Sequence, residues 1–335
     1  MVSSWLRNPR LFKHAYACTV GTVAGFTVGL VGWGGAQVLI PAMTAPFPSF
    51  AGHSQLSATG ISLSSLSVST LTSGYWFWAE DRVVVPVALA ISLPAVAAAR
   101  AGSHLARRMS GEALALFYNG CSVVLIPTHF WIQKRAEARG NRQSRESTEG
   151  GGVDTTGRTT DATPMRWRAE ASGDSATTPP PPTPALSPSL SEFSFESMPS
   201  SVLAKHVSFG IVSGILSSLM GVGGLPFAMS YLTEATRGDD EDDLPHHLIQ
   251  GTAICSLLPA IIVSAVSRVG ATPLGEAGCV ALGALVGSYW GAEVALGMPP
   301  EKLRTLYVGS LFLFGGRSMV GALRNLQQIY RKSVR

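Results

Sequence analysis

The chain has 335 residues, of which 46% are hydrophobic and 14% charged, with a formal charge of +4. The charges are unevenly spread: residues 133–200 hold 8 of the 25 Lys and Arg and 9 of the 21 Asp and Glu, leaving the rest about 11% charged where a soluble domain carries about 25%. This excludes a water-soluble enzyme or a nucleic-acid binder and reads as an all-α, polytopic membrane protein.

Residues 1–13 form a basic N-terminal segment with Arg7, Arg10 and Lys13, and no acidic residue occurs before Glu80. Spanning a bilayer takes about 20 apolar residues. Such runs follow at 14–31, 54–78, 83–101 and 112–132, making a first transmembrane repeat over 14–132. Residues 133–200 differ in kind, with eight of the 21 prolines, including the run Pro179 to Pro182. Too little apolar surface is present to offset the ordering entropy, so a disordered Pro/Ser-rich linker is expected, locally extended at the polyproline run. Apolar runs return at 204–221, 247–267, 273–296 and 302–322 within a second repeat over 201–323. Residues 324–335 are a basic C-terminal tail. About eight transmembrane helices in two four-helix halves are therefore expected.

The basic residues flank the apolar runs, as topology charges do, rather than lining a DNA-reading face. With every run crossing, the positive-inside rule places both termini and the linker on the cytoplasmic-equivalent side of a plasma or organelle membrane. Arg100, Arg107 and Arg108 break that pattern. The loop 233–246 is acidic (Glu234, Asp239, Asp240, Glu241, Asp242, Asp243). The cysteines Cys18, Cys121, Cys255 and Cys279 stand far apart in apolar surroundings, without C-x-x-C spacing, so no zinc site, disulfide framework or cofactor is indicated.

The two halves resemble each other. An offset of 189 aligns "GTVAGFTVGLVGWGG" (21–35) with "GIVSGILSSLMGVGG" (210–224), so that Gly21, Gly25, Gly32, Gly34 and Gly35 meet Gly210, Gly214, Gly221, Gly223 and Gly224. The same offset brings Gly102, Met109, Glu112, Leu114, Tyr118 and Gly120 onto Gly291, Met298, Glu301, Leu303, Tyr307 and Gly309. An offset of 193 brings His53, Thr59 and Ile61 onto His246, Thr252 and Ile254. Matches at both ends of each half point to duplication. Four crossings per half would make the copies parallel, which the charge pattern favours; a hairpin re-entering on its own side would make them inverted.

"GLVGWGGAQVLIP" and "SLMGVGGLPF" do not suit a straight helix, because clustered glycines each cost about 1 kcal/mol relative to Ala and a proline follows (Pro41, Pro226). Lipid leaves freed amides unsatisfied, so a break near Gly32–Gly35 and another near Gly221–Gly224 must be shielded by protein or line a wet cavity. Two half-helices starting after such breaks can aim their N–H groups at one anion near a pseudo-symmetry axis. Gly21-x-x-x-Gly25 and Gly210-x-x-x-Gly214 fit close helix packing instead. No phosphate-binding G-x-x-x-x-G-K-[ST] loop exists.

Glycine-rich "GxxGxGG…P" motifs in two four-helix halves resemble the sulfite exporter TauE/SafE family of membrane permeases. The resemblance covers roughly 14–132 and 204–322, and extends to "SATGISLSS" and "QGTAICSLL" and to the Gly, Met, Glu, Leu, Tyr close of each half. It implies secondary transport or facilitated passage of sulfite, sulfonates or related sulfur-containing or organic anions. It also implies Gly32, Gly34, Gly35, Gly221, Gly223 and Gly224 as anion-binding residues, with Thr59 and Thr252 as hydroxyl donors.

Other residues have plainer readings. The remaining hydroxyls beside Thr59 fit back-bonding and helix packing. Arg317, within the last apolar run, is a candidate charge partner for an anion or an interfacial snorkelling side chain. Glu293 and His104 fit solvated interfacial roles, and Glu112 and Glu301 the first turn of the last helix in each half. His246-His247 lack further ligands at metal spacing and are expected in a solvated acidic loop. Gly52-His53-Ser54-Gln55 does not make a protease. Two alternatives to a transporter stand beside it: a non-transporting scaffold recruiting cytosolic partners through the linker, and an anion channel.

Overall fold

The computed structural model describes residues 9–33, 35–45, 53–124, 127–128, 199–235 and 245–333, within one compact unit. These residues are helical with short connections and contain no strand. The elements are α1 (Pro9–Val31), α2 (Ala36–Thr44), α3 (Gln55–Ala79), α4 (Val85–Arg108), α5 (111–124), α6 (Ser200–Met220), α7 (Leu225–Ala235), α8 (His246–Ser267), α9 (Leu274–Gly297) and α10 (Pro300–Ser333). A 3₁₀ turn, Val269–Ala271, joins α8 to α9. The Pro/Ser-rich linker lies outside the described residues up to 198, as does most of the acidic loop (236–244).

Among the described residues six helices are long and apolar enough to cross a membrane: α1, α4, α6, α8, α9 and α10. Large apolar side chains such as Leu71, Leu93, Val212, Val266, Leu282 and Leu313 point outward, each more than half exposed. Water would oppose that; lipid welcomes it. Aromatic residues gather at the C-terminal ends of α3 and α9, where Trp76 meets Tyr289 edge-on at 5.4 Å beside Trp78 and Trp290, as at a membrane–water interface. The α3 helix has the length of a span, but ten Ser and Thr side chains dilute its apolar character. The chain is an integral, multi-pass membrane protein.

The glycine clusters do interrupt their helices. After α1 the chain turns through Gly32 (φ +69°), and after α6 through Gly221, Gly223 and Gly224 (φ +69°, +76° and +69°). This left-handed backbone is one a Cβ disfavours. The chain then folds back along its own helix. On α2, Tyr16 Oη donates to the Ala42 carbonyl at 3.2 Å, while Gly35 lies against the Ala24 carbonyl. On α7, Tyr231 stacks on Phe209 at 4.0 Å and its hydroxyl bonds His206 Nδ1 at 2.8 Å, while Gly224 lies against Ser213. Each interrupted segment is therefore a hairpin that returns to the face it started from.

Glycine contacts fix the remaining directions. Gly21, Gly25 and Gly29 of α1 lie against the backbone of Val280, Ala284 and Ser288 of α9, so these helices run parallel. Gly210 and Gly214 of α6 lie against Ile91 and Ala95 of α4, again parallel. The expected packing role of the spaced glycines holds, with helices from distant parts of the sequence as partners. Lys13 and His53, before and after the first hairpin, both contact the Glu276 carboxylate at the start of α9. Ser57 at the start of α3 donates to the Ala271 carbonyl at 3.0 Å. The starts of α1, α3 and α9 therefore share one face, called here the first.

At the second face lie the C-terminal end of α3 and the starts of α4, α6 and α8. Gly251 of α8 packs on Phe77 and the Arg82 carbonyl, and α6 starts beside α4. Among the described residues each glycine-interrupted segment folds back rather than continuing as one straight helix, and the starts of α1 and α6 stand at opposite faces. The histidines of the expected solvated loop are also buried in the first turn of α8, with His247 Nε2 bonded to the Ala295 carbonyl at 2.9 Å and the His246 ring 5.5 Å from Tyr307.

Candidate functional site

The singled-out residues fall into separate groups. At the first face, Gly221 packs directly on Thr59: a Cβ there would stand 2.7 Å from Thr59 Cβ. At the second face, Gly32 packs on the side chain of Gln250, and nearby Thr252 Oγ1 accepts from Val84 N at 2.9 Å. Gly223 lies between them, against Ile261 of α8 and Leu66 of α3, and Gly224 against Leu257 and Ser213. Gly35 rests on its own hairpin, and Gly34 lies outside the described residues.

The two breaks thus do not meet. Gly74 of α3 packs beside Ile254 of α8, one turn from Gln250. At 1.5 Å per residue, Thr59 and Gly74 are about 22 Å apart along α3. Each hairpin tip lodges against the second helix of the other half, Gly221 on α3 and Gly32 on α8, which draws the breaks towards opposite faces rather than to a common centre.

The break at the first face carries a cation that sequence reasoning passed over. Arg268, directly after α8, is 1% exposed. Its Nη1 donates to Thr59 Oγ1 and its Nη2 to the Ser218 carbonyl, in the last turn of α6. Thr59 Oγ1 in turn donates to the Leu56 carbonyl at 2.9 Å. Ser62 Oγ donates to the Gly221 carbonyl at 2.7 Å, so the exposed carbonyl end of the broken helix is closed by a hydroxyl and a guanidinium. Ser218 Oγ bonds both Ser264 Oγ and the Ala99 carbonyl, and Thr272 Oγ1 donates to the Arg268 carbonyl at 2.8 Å. The Arg268 guanidinium is therefore held between α3 and α6, and Ser218 is tied in turn to α4 and α8.

The corresponding end of α1 is closed differently. Gln250 Nε2 donates to the Gly29 carbonyl at 2.9 Å, with no charge involved. Arg317, the charge partner expected from sequence, is exposed on α10 beside Ser318, whose hydroxyl donates to Gln37 Oε1 at 3.3 Å. The buried cation beside a predicted site residue is Arg268, not Arg317. In sequence Arg268 looks like a charge closing a span; only its contact with Thr59, 209 positions away, reveals its burial. Glu293, His104, Glu112 and Glu301 are exposed, and no group of His, Cys, Asp and Glu that would hold a metal occurs among the described residues.

No curated protein and no solved structure matches the chain. The family model of the sulfite exporter TauE/SafE matches residues 17–318, spanning both hairpins and the helices that hold them, and the chain belongs to that family.

Proposed function

We propose that the chain is a secondary transporter or facilitator for small anions, sulfite, sulfonates or related sulfur-containing or organic anions, built as two inverted copies of one four-element unit. Family membership supports a membrane transporter of sulfur anions. The inverted arrangement rests on paired contacts: α1 lies on α9 as α6 lies on α4, and each hairpin returns to its own face. Counting α3 and the segment around 112–132, each unit then has a re-entrant hairpin followed by three crossings, giving eight membrane elements. Inverted units of this kind supply two related conformations, one open to each side.

The observation that carries the reading is the broken helix at Gly221. Its freed carbonyls are closed by Ser62 and Arg268, and Thr59 lies against the glycine, so polar groups and a positive charge meet well inside an apolar protein. Of the candidate residues, Thr59, Gly221, Gly223 and Gly224 belong to this side of the molecule. Gly32, Gly35 and Thr252 belong to the companion hairpin and its surroundings.

Reconstituted into proteoliposomes, the protein is expected to give saturable uptake of sulfite or methanesulfonate, and less of acetate or sulfate. Deleting residues 140–195 should leave that uptake intact. Loss of uptake on deletion would place the function in the linker, and absence of uptake for every anion would refute the transporter reading.

A further inference from the structure

An arginine sealed from solvent without a carboxylate beside it calls for an explanation. Among the described residues the ion pairs join Lys13 and His53 to Glu276, and none includes Arg268. Its Nε, fully buried, has no hydrogen-bond partner. Burying a lone guanidinium is strongly unfavourable unless an opposite charge and full hydrogen bonding compensate it. Two neutral acceptors, the Thr59 hydroxyl and the Ser218 carbonyl, leave both the charge and the Nε–H uncompensated.

Closing the end of a broken helix does not require that charge. Gln250 does the same work at the Gly29 carbonyl with a neutral amide. Each break opens on a glycine at φ +69°, Gly32 after α1 and Gly221 after α6. What Arg268 adds at one of them is a positive charge and an unused donor edge.

We propose that Arg268 is the residue that recognises the charge of the transported anion, through the Nε edge of its guanidinium, with Thr59 holding the guanidinium in position. The inference rests on the transporter reading above. A planar fork of donors suits a ligand with two oxygens on one centre, so sulfite and the sulfonate headgroup fit where a halide does not. The anion supplies the missing counter-charge, and recognition is one-sided, at the break near the first face. Because Arg268 is sealed in this conformation, the anion reaches it when α3 and α6 part around Gly221, a motion within the alternating opening of such transporters.

The test uses the full-length protein, with sodium sulfite and sodium methanesulfonate as probes and sodium chloride as the control. Wild type should be stabilised against heat by both oxyanions beyond the chloride effect. Arg268→Gln, which removes the charge and keeps a neutral amide, should lose that stabilisation and raise KM for sulfite uptake at least about tenfold, the scale of a lost hydrogen bond to a charged group. Arg268→Lys keeps the charge without the fork and should fall between. A wild-type KM and ligand-dependent stabilisation in Arg268→Gln overturns the proposal; should that variant not fold, a wild-type KM in Arg268→Lys overturns it. A wild type that carries none of the anions is a different failure, that of the transporter reading, and is seen before any variant is compared.

Discussion

Thr59 and Ser67 occupy the same helix and carry the same kind of hydroxyl, yet the structure gives them different work. Ser67 Oγ bonds back to the Leu63 carbonyl at 2.8 Å, a local contact within α3. Thr59 Oγ1 accepts from Arg268 and touches Gly221. Thr59→Val should therefore raise KM for sulfite uptake several-fold, about the effect of one lost hydrogen bond near a charge, while Ser67→Val should leave it unchanged. Equal effects would count against the assignment. Gly221 permits a second prediction. Its φ of +69° and the 2.7 Å approach a Cβ would make to Thr59 both oppose a side chain. Gly221→Ala should cost about 1–3 kcal/mol, read as a lowered thermal midpoint, whereas Gly278→Ala, a helical position with nothing within 4 Å, should be neutral or stabilising. The glycines were legible in sequence because clustered glycine has few uses inside an apolar run. Arg268 was not, because a charge closing a span looks the same whether it faces water or a partner 209 residues away.

At the scale of elements, α3 explains why a hydroxyl-rich stretch sits in a membrane protein. Ser64, Ser67, Thr70, Thr72 and Ser73 each donate to the carbonyl four residues earlier, which satisfies them without water. Only Ser57, Thr59 and Ser62 reach across to other elements, all near the first face. The packing reading of these hydroxyls holds along most of the helix, and the exceptions cluster at the candidate site. The pairing of α1 with α9 depends on glycines from both helices, since a Cβ on Gly283, Gly287 or Gly291 would run into the backbone of Cys18, Thr22 or Phe26. Gly287→Leu should therefore reduce the fraction of monodisperse protein recovered after solubilisation, and Gly309→Leu, at an open position on α10, should not. A similar yield for the two would mean that the α1–α9 contact does not hold the fold. Sequence spacing identified which glycines serve packing, but spacing within one helix carries no information about the distant helix it meets.

For the whole molecule, the two hairpins change the parity of every later segment. If α1 crossed and stayed across, Arg107 and Arg108 at the end of α4 would oppose the basic N-terminus, the inconsistency the charge pattern showed. With the chain returning to its starting face, α3 leaves that face and α4 comes back to it, so Arg107 and Arg108 join Lys13. Helix α10 starts after α9 at the second face and reaches Asn119 of α5 at Gly321, on its way to the first face with its basic end. Arg107, Arg108 and Lys13 then share one face, while Arg82, Lys205, Lys302 and Arg304 stand at the other, so charge alone does not orient the chain. The expected topology is specific: Ser110 shares the face of Lys13, and Gly150 and Asp240 are expected on the other. Single cysteines introduced into a protein freed of its native four, at Ser110, Gly150 and Asp240, give the check. In intact cells a membrane-impermeant maleimide should label Gly150→Cys and Asp240→Cys and spare Ser110→Cys until the membrane is opened. Labelling of Ser110→Cys and Asp240→Cys with Gly150→Cys spared would mean that both interrupted segments cross after all, and with it the inverted arrangement would fall.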